Sequence, residues 1–131
     1  MYDFEALERY LAERAGMDFA WGSDRNDCAS FYAGAAAAMA GRHLLKGLRW
    51  RSEAGAARVI ARLGGFEAAV SSRMTPIAPA FAKRGDAAGV QDARFGFLLM
   101  LVEGDFLVGP GNGVRLMRAP RRAMIRAWSL V

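Results

Sequence analysis

The sequence has a single cysteine, Cys28, and a single histidine, His43. One thiol excludes an intrachain disulfide and leaves the redox compartment open. One imidazole leaves little material for a metal centre, and no spacing of His, Cys, Asp and Glu suggests one. Lysine is nearly missing too: eighteen basic residues include only Lys46 and Lys83, the rest being arginine. The net charge of +5 therefore reflects an arginine-rich, Ala- and Gly-rich composition, and a nucleic-acid reading has to rest on clustering. Long apolar runs are lacking as well. The run Phe95 to Val102 is far too short to span a bilayer, and Met1-Tyr2-Asp3-Phe4-Glu5 has no basic region leading into an apolar one, so no membrane span and no secretory signal are expected.

What remains is a chain of 131 residues, 53% hydrophobic, which is enough for one core without disulfides or a structural metal. Residues 1–131 are expected to form a single domain. Phe4, Leu7 and Leu11 share one face of a predicted helix from 2 to about 15, ended by Gly16. A loop rich in capping residues follows, with Phe19 and Trp21 in it. From Cys28 to about Met39 the chain is small, apolar and uncharged, which predicts a helix buried on most sides. Ser52 caps a third helix through Leu63, Gly64-Gly65 stops it, and a short helix at 66–72 comes next. Pro76 and Pro79 mark a connecting loop.

Beyond them the pattern changes to strands: Asp86–Val90, Phe95–Glu103, Phe106–Val108 after a Gly104-Asp105 turn, Val114–Leu116 after a glycine-rich turn at 109–113, and Ala127–Leu130. Helices first and antiparallel strands after them define an α+β domain, with the cysteine-headed core helix packed on a small antiparallel sheet.

A cysteine at a helix start meets unsatisfied N–H groups and the positive end of the helix dipole, which favour thiolate. The competing reading is a small core residue, with Asp27 beside it a helix cap rather than a catalytic acid. Trp21 and Tyr32 either line a cleft or cover the core. Arg115, Arg118, Arg121, Arg122 and Arg126 form an arginine cluster with no acid among them. A solvated basic edge is the default for it, and contact with nucleic acid or an acidic protein the sharper alternative.

Asp27-Cys28-Ala29-Ser30-Phe31 resembles the nucleophile segment of NlpC-like cysteine peptidases, a papain-like α+β group. Arg84-Gly85-Asp86 resembles the Gly-Asp that opens their first sheet strand, and Arg94-Phe95-Gly96-Phe97 the segment that supplies their histidine. The order Asp27-Cys28, Gly64-Gly65, Gly85-Asp86, Ala127-Trp128 is similar to that of phage and prophage proteins of this kind, from about Phe19 onward.

The resemblance implies Cys28 as the nucleophile position and Arg94 at the histidine position, its side chain pointing from the long strand toward the Cys28 end of the core helix, with Asp24, Asp27 or backbone carbonyls as acceptors. Arginine stays protonated at any accessible pH and cannot take a proton from a thiol. His43, fifteen residues past Cys28, lies on the order of 20 Å away if the helix continues, against a hydrogen-bond reach of about 3 Å.

The implied function is a structural or assembly component of a phage tail, at its tip: a degenerate NlpC-like domain without hydrolase activity and without a cofactor. Its implied partners are other tail proteins and peptidoglycan, and its implied location is the virion after synthesis in the bacterial cytoplasm. Two alternatives stand beside it. One is an active cysteine peptidase or amidase cutting peptidoglycan peptides with Cys28. The other, for which the sequence gives least support, is a basic module binding nucleic acid through the C-terminal arginines.

Overall fold

The computed structural model describes residues 2–131. Four α-helices precede the sheet: α1 (Phe4–Arg14), α2 (Cys28–Ala40), α3 (Glu53–Arg62) and α4 (Phe66–Ser71). Six strands follow: β1 (Thr75–Ile77), β2 (Ala87–Asp92), β3 (Gly96–Val102), β4 (Phe106–Gly109), β5 (Met117–Pro120) and β6 (Met124–Ser129). They form one antiparallel sheet in the order β1-β6-β2-β3-β4-β5, and the expected α+β class is the observed one.

The core helix forms for local reasons. Asp27 accepts the Ser30 N–H while the Ser30 hydroxyl accepts the Asp27 N–H, a reciprocal cap at the N-terminus. Gly41 ends the helix in the left-handed region (φ 65°), where its N–H reaches the Ala36 and Ala37 carbonyls. Between these stops the helix has no charge to keep wet, and Phe31, Tyr32, Ala35 and Ala36 are fully buried. Gly34 lets α1 approach closely. A Cβ there would lie 2.6 Å from Tyr10 Cζ, and the Tyr10 hydroxyl donates to the Phe31 carbonyl at 2.8 Å.

β3 sends alternate side chains to opposite faces of the sheet, and over residues 99–102 both faces are covered. Leu99 and Leu101 pack toward α2, whereas Met100 and Val102 join a second cluster on the other face with Ala88, Leu107 and Met124. Gly85-Asp86 stitches the layers together. Tyr32 donates to the Gly85 carbonyl at 2.8 Å, and the buried Asp86 carboxylate accepts from the Tyr2 hydroxyl at 2.8 Å. Trp128 is buried on the sheet and donates to the Ser71 hydroxyl at 3.0 Å.

Three local expectations change. The Pro76 stretch is the edge strand β1, paired with 127–129, because an edge tolerates a residue without an N–H. Val114–Leu116 is not a strand. Gly113 turns left-handed (φ 85°) and the Asn112 side chain accepts from Val114 N–H, so pairing with β4 resumes only at Met117. Arg94 sits in the β2–β3 turn rather than on β3, since the Asp92 carboxylate collects the Arg94 and Phe95 N–H groups at 3.1 and 2.9 Å.

Candidate functional site

Cys28 opens α2 as expected, but its surroundings are apolar. It lines a hollow of about 90 Å³ whose walls come from α2, the 44–50 loop, α3, α4 and β3. Trp21, Leu48, Ile60, Phe66, Phe95 and Leu99 are among the side chains around it. The rings make a row of edge-on contacts: Phe19 to Trp21 at 5.1 Å, Trp21 to Phe95 at 5.9 Å and Phe95 to Phe66 at 6.5 Å. Trp21, Leu45, Leu48, Ile60, Leu63 and Phe95 are only half-buried, so the hollow reaches the surface between them.

Two effects compete at the thiol. The helix start favours the anion, and main-chain hydrogen bonds from Leu99 and Ala29 work in the same sense. Burial works against it and is the larger effect, reinforced by the Asp27 and Asp92 carboxylates, and together they push the Cys28 thiol up to about 12. The side chain is therefore a neutral thiol at physiological pH.

Asp27 is not available as a base. Its side chain is buried; one oxygen caps Ser30, and the other accepts Gly22 N–H at 3.0 Å and Trp50 Nε1–H at 2.7 Å. The cap also fixes the 20–27 loop and the 44–50 loop against the start of α2. The cap reading of Asp27 agrees with this geometry.

Arg94 does not turn toward Asp24 or Asp27. It is exposed and pairs with Glu53 in the first turn of α3, so it bridges the β2–β3 turn to the helix whose Ala56, Val59, Ile60 and Leu63 line the hollow. From the β3 side, the residues in the wall with Cys28 are Phe95 and Leu99. His43 is exposed and borders a different hollow, along the outer face of α2, together with Arg14, Arg25 and Lys46. The structure thus brings Trp21, Cys28 and Tyr32 together and keeps Arg94 and His43 apart from that group.

The arginine cluster is partly committed. Arg121 donates to the Gly104, Pro79 and Ala82 carbonyls, Arg126 pairs with Glu67 and covers Phe97, and Arg118 stacks 3.8 Å over Phe106. Arg115 and Arg122 are exposed. Among the described residues no group of three or more His, Cys, Asp or Glu stands where it could hold a metal ion, and no helix is long and apolar enough to cross a membrane.

Arg73, Leu45, Leu48 and Trp50 were not singled out from sequence as site residues. The apolar spacing of Leu44, Leu45, Leu48 and Trp50 in an otherwise basic stretch is the signal that marks that loop as one wall.

An antiparallel sheet covered by a cysteine-headed helix is the NlpC/p60 arrangement, a papain-like α+β fold. The crystal structure of the NlpC/p60 domain of the peptidoglycan hydrolase SagA is similar to this chain with a TM-score of 0.61, over 97% of this chain and 98% of that one, at 17% identity. The chain itself belongs to the family described as a domain of unknown function (DUF6950), which matches residues 3–130. None of the curated proteins matches the sequence.

Proposed function

We propose that this domain is a degenerate NlpC-like module that binds rather than cuts, serving as a structural or assembly component of a phage tail. One observation carries the non-catalytic part. The wall that holds Cys28 contains no histidine, its one carboxylate is already bound by Ser30, Gly22 and Trp50, and the thiol is held neutral by burial. A cysteine hydrolase needs a thiolate to attack and a group that returns the proton to the leaving amine. The tail assignment is supported by the order of Asp27-Cys28, Gly64-Gly65, Gly85-Asp86 and Ala127-Trp128, which is similar to that of phage proteins. In this reading the chain is made in the bacterial cytoplasm, resides in the virion, and contacts other tail proteins and peptidoglycan.

A second reading, an active peptidase or amidase with Cys28 as nucleophile, is favoured by the position of Cys28 at the head of α2 and by the likeness to a domain of a peptidoglycan hydrolase. Purified peptidoglycan incubated with wild-type protein and with Cys28→Ala separates the two. The proposal expects no release of peptide fragments from either, and the chain present in purified virions by mass spectrometry. Release that depends on Cys28 overturns the non-catalytic reading, and virions without the chain overturn the tail assignment.

A further inference from the structure

The net charge is not spread over the molecule. Residues 42–62 hold six arginine or lysine side chains and one acid, Glu53, and so carry the whole +5. The other residues are balanced, with twelve basic and twelve acidic side chains. Within the segment, Arg42 is committed to the Leu130 and Arg73 carbonyls, and Glu53 is held by Arg94. Lys46, Arg49, Arg51, Arg58 and Arg62 are exposed, and none of them forms an ion pair among the described residues. Like charges gathered in this way cost stability by self-repulsion, which an opposite charge relieves.

These five stand beside apolar groups that are only partly covered. Arg49 and Arg51 alternate with Leu48 and Trp50, which line the hollow from the loop between α2 and α3. On α3, Arg58 and Arg62 lie one turn apart, off the face where Val59, Ile60 and Leu63 meet the hollow. Loop and helix are joined there: a Cβ on Gly55 would lie 3.4 Å from the Trp50 Cβ and 3.8 Å from Arg58 Nη2. The aromatic row extends the apolar area, since Trp21 and Phe95 are half-buried and Phe19, edge-on to Trp21, is 45% exposed. An apolar centre with an arginine-rich rim is the anatomy of a protein–protein interface.

We propose that the 44–51 stretch, α3 and the aromatic row dock an acidic segment of another protein. An apolar side chain of that segment covers the mouth of the hollow, and its carboxylates meet the five cations. The inference rests on the reading of the Cys28 site as binding rather than cutting, and it names the chemistry of the partner. The surface selects against a nucleic acid. A base entering between Leu48, Ile60 and Phe95 buries its polar edge among carbon side chains that offer it no partner. A leucine side chain in the same place gains by leaving water. Carboxylates give the free guanidiniums the charge-assisted hydrogen bonds that arginine makes best. The same charges steer the encounter, so the association is sensitive to salt.

The test uses the full chain and labelled probes followed by fluorescence anisotropy. The probes are an acidic peptide with a central Leu-Leu pair, its Ser-Ser counterpart, its counterpart with Gln for every acid, and single-stranded oligothymidylate. The expected result is saturable binding of the Leu-Leu peptide, at least tenfold weaker with Ser-Ser and at least tenfold weaker with Gln. Raising salt from about 50 to about 300 mM is expected to weaken it at least tenfold as well. Arg49→Glu combined with Arg62→Glu is expected to lower the affinity at least tenfold. Arg115→Glu combined with Arg122→Glu, which changes net charge equally, is expected to alter it less than twofold. No binding of the Leu-Leu peptide overturns the proposal, and equal binding of Leu-Leu and Ser-Ser peptides overturns the apolar anchor. Equal losses from the two double variants overturn the location, and oligothymidylate binding tighter than the Leu-Leu peptide overturns the choice of a protein partner. The wild-type comparison needs no variant to fold. Cleavage of peptidoglycan overturns the non-catalytic reading without altering these titrations, so the two failures are distinguishable.

Discussion

Replacing Asp27 by Ala removes one carboxylate that serves three buried donors at 2.7 to 3.0 Å. Loss of an N-cap alone costs about 1 kcal/mol. The Gly22 N–H and Trp50 Nε1–H are then left unpaired inside the protein, at about 1–3 kcal/mol each. Together these give a loss of about 3–7 kcal/mol, a large part of the stability of a domain this size. Trp50→Phe deletes one of the donors instead, so the pair is suited to a double-mutant cycle. The double variant is expected to be less destabilised than the sum of the singles by about 1–3 kcal/mol. Urea unfolding followed by circular dichroism measures all four corners. An Asp27→Ala loss below about 1 kcal/mol, or strict additivity with Trp50→Phe, would refute the claim that this carboxylate is a structural tie joining α2 to the flanking loops.

Gly34→Leu is expected to destabilise the domain by at least about 1–3 kcal/mol, since the new side chain meets the Tyr10 ring, whereas Cys28→Ala leaves a cooperative fold; urea unfolding distinguishes them. Arg94→Ala is expected to cost no more than about 1 kcal/mol, because its partner Glu53 is also largely exposed, and thermal melts at low and high salt check this. Arg94→His is expected to give no release of peptide from peptidoglycan, because the position stands at Glu53 on the surface and not beside the thiol.

The parts of the fold that were legible in sequence are those specified by local chemistry. Asp27, Ser30 and Gly41 bracket α2, Gly64-Gly65 separates α3 from α4, and the Gly104-Asp105 turn separates β3 from β4. β1 was hidden because three residues with a proline carry no periodicity, and their pairing with β6 is fixed only when residues 127–129 arrive. The length of the bend before β5 was hidden for a related reason, since Asp18 crowds Gly113 from ninety-five residues away.

At the site, sequence located the helix start and not the balance of forces on it. The dipole argument for a thiolate is local, while the burial that outweighs it comes from the 44–50 loop, α3 and β3. The partner of Arg94 was likewise out of reach, because Glu53 lies forty-one residues upstream and only the β2–β3 turn brings the two together.

The central claim is that Cys28 is a neutral wall residue and not a poised nucleophile, and the pH profile of its alkylation by iodoacetamide tests it most directly. Only the thiolate reacts, so raising a thiol from about 9 to about 12 lowers the reactive fraction on the order of a thousandfold at pH 8. The account predicts that the folded protein labels about a thousandfold more slowly than the urea-unfolded chain at pH 8, with a rate still climbing tenfold per pH unit at pH 10. A rate that levels off below pH 8, or matches the unfolded chain there, contradicts it.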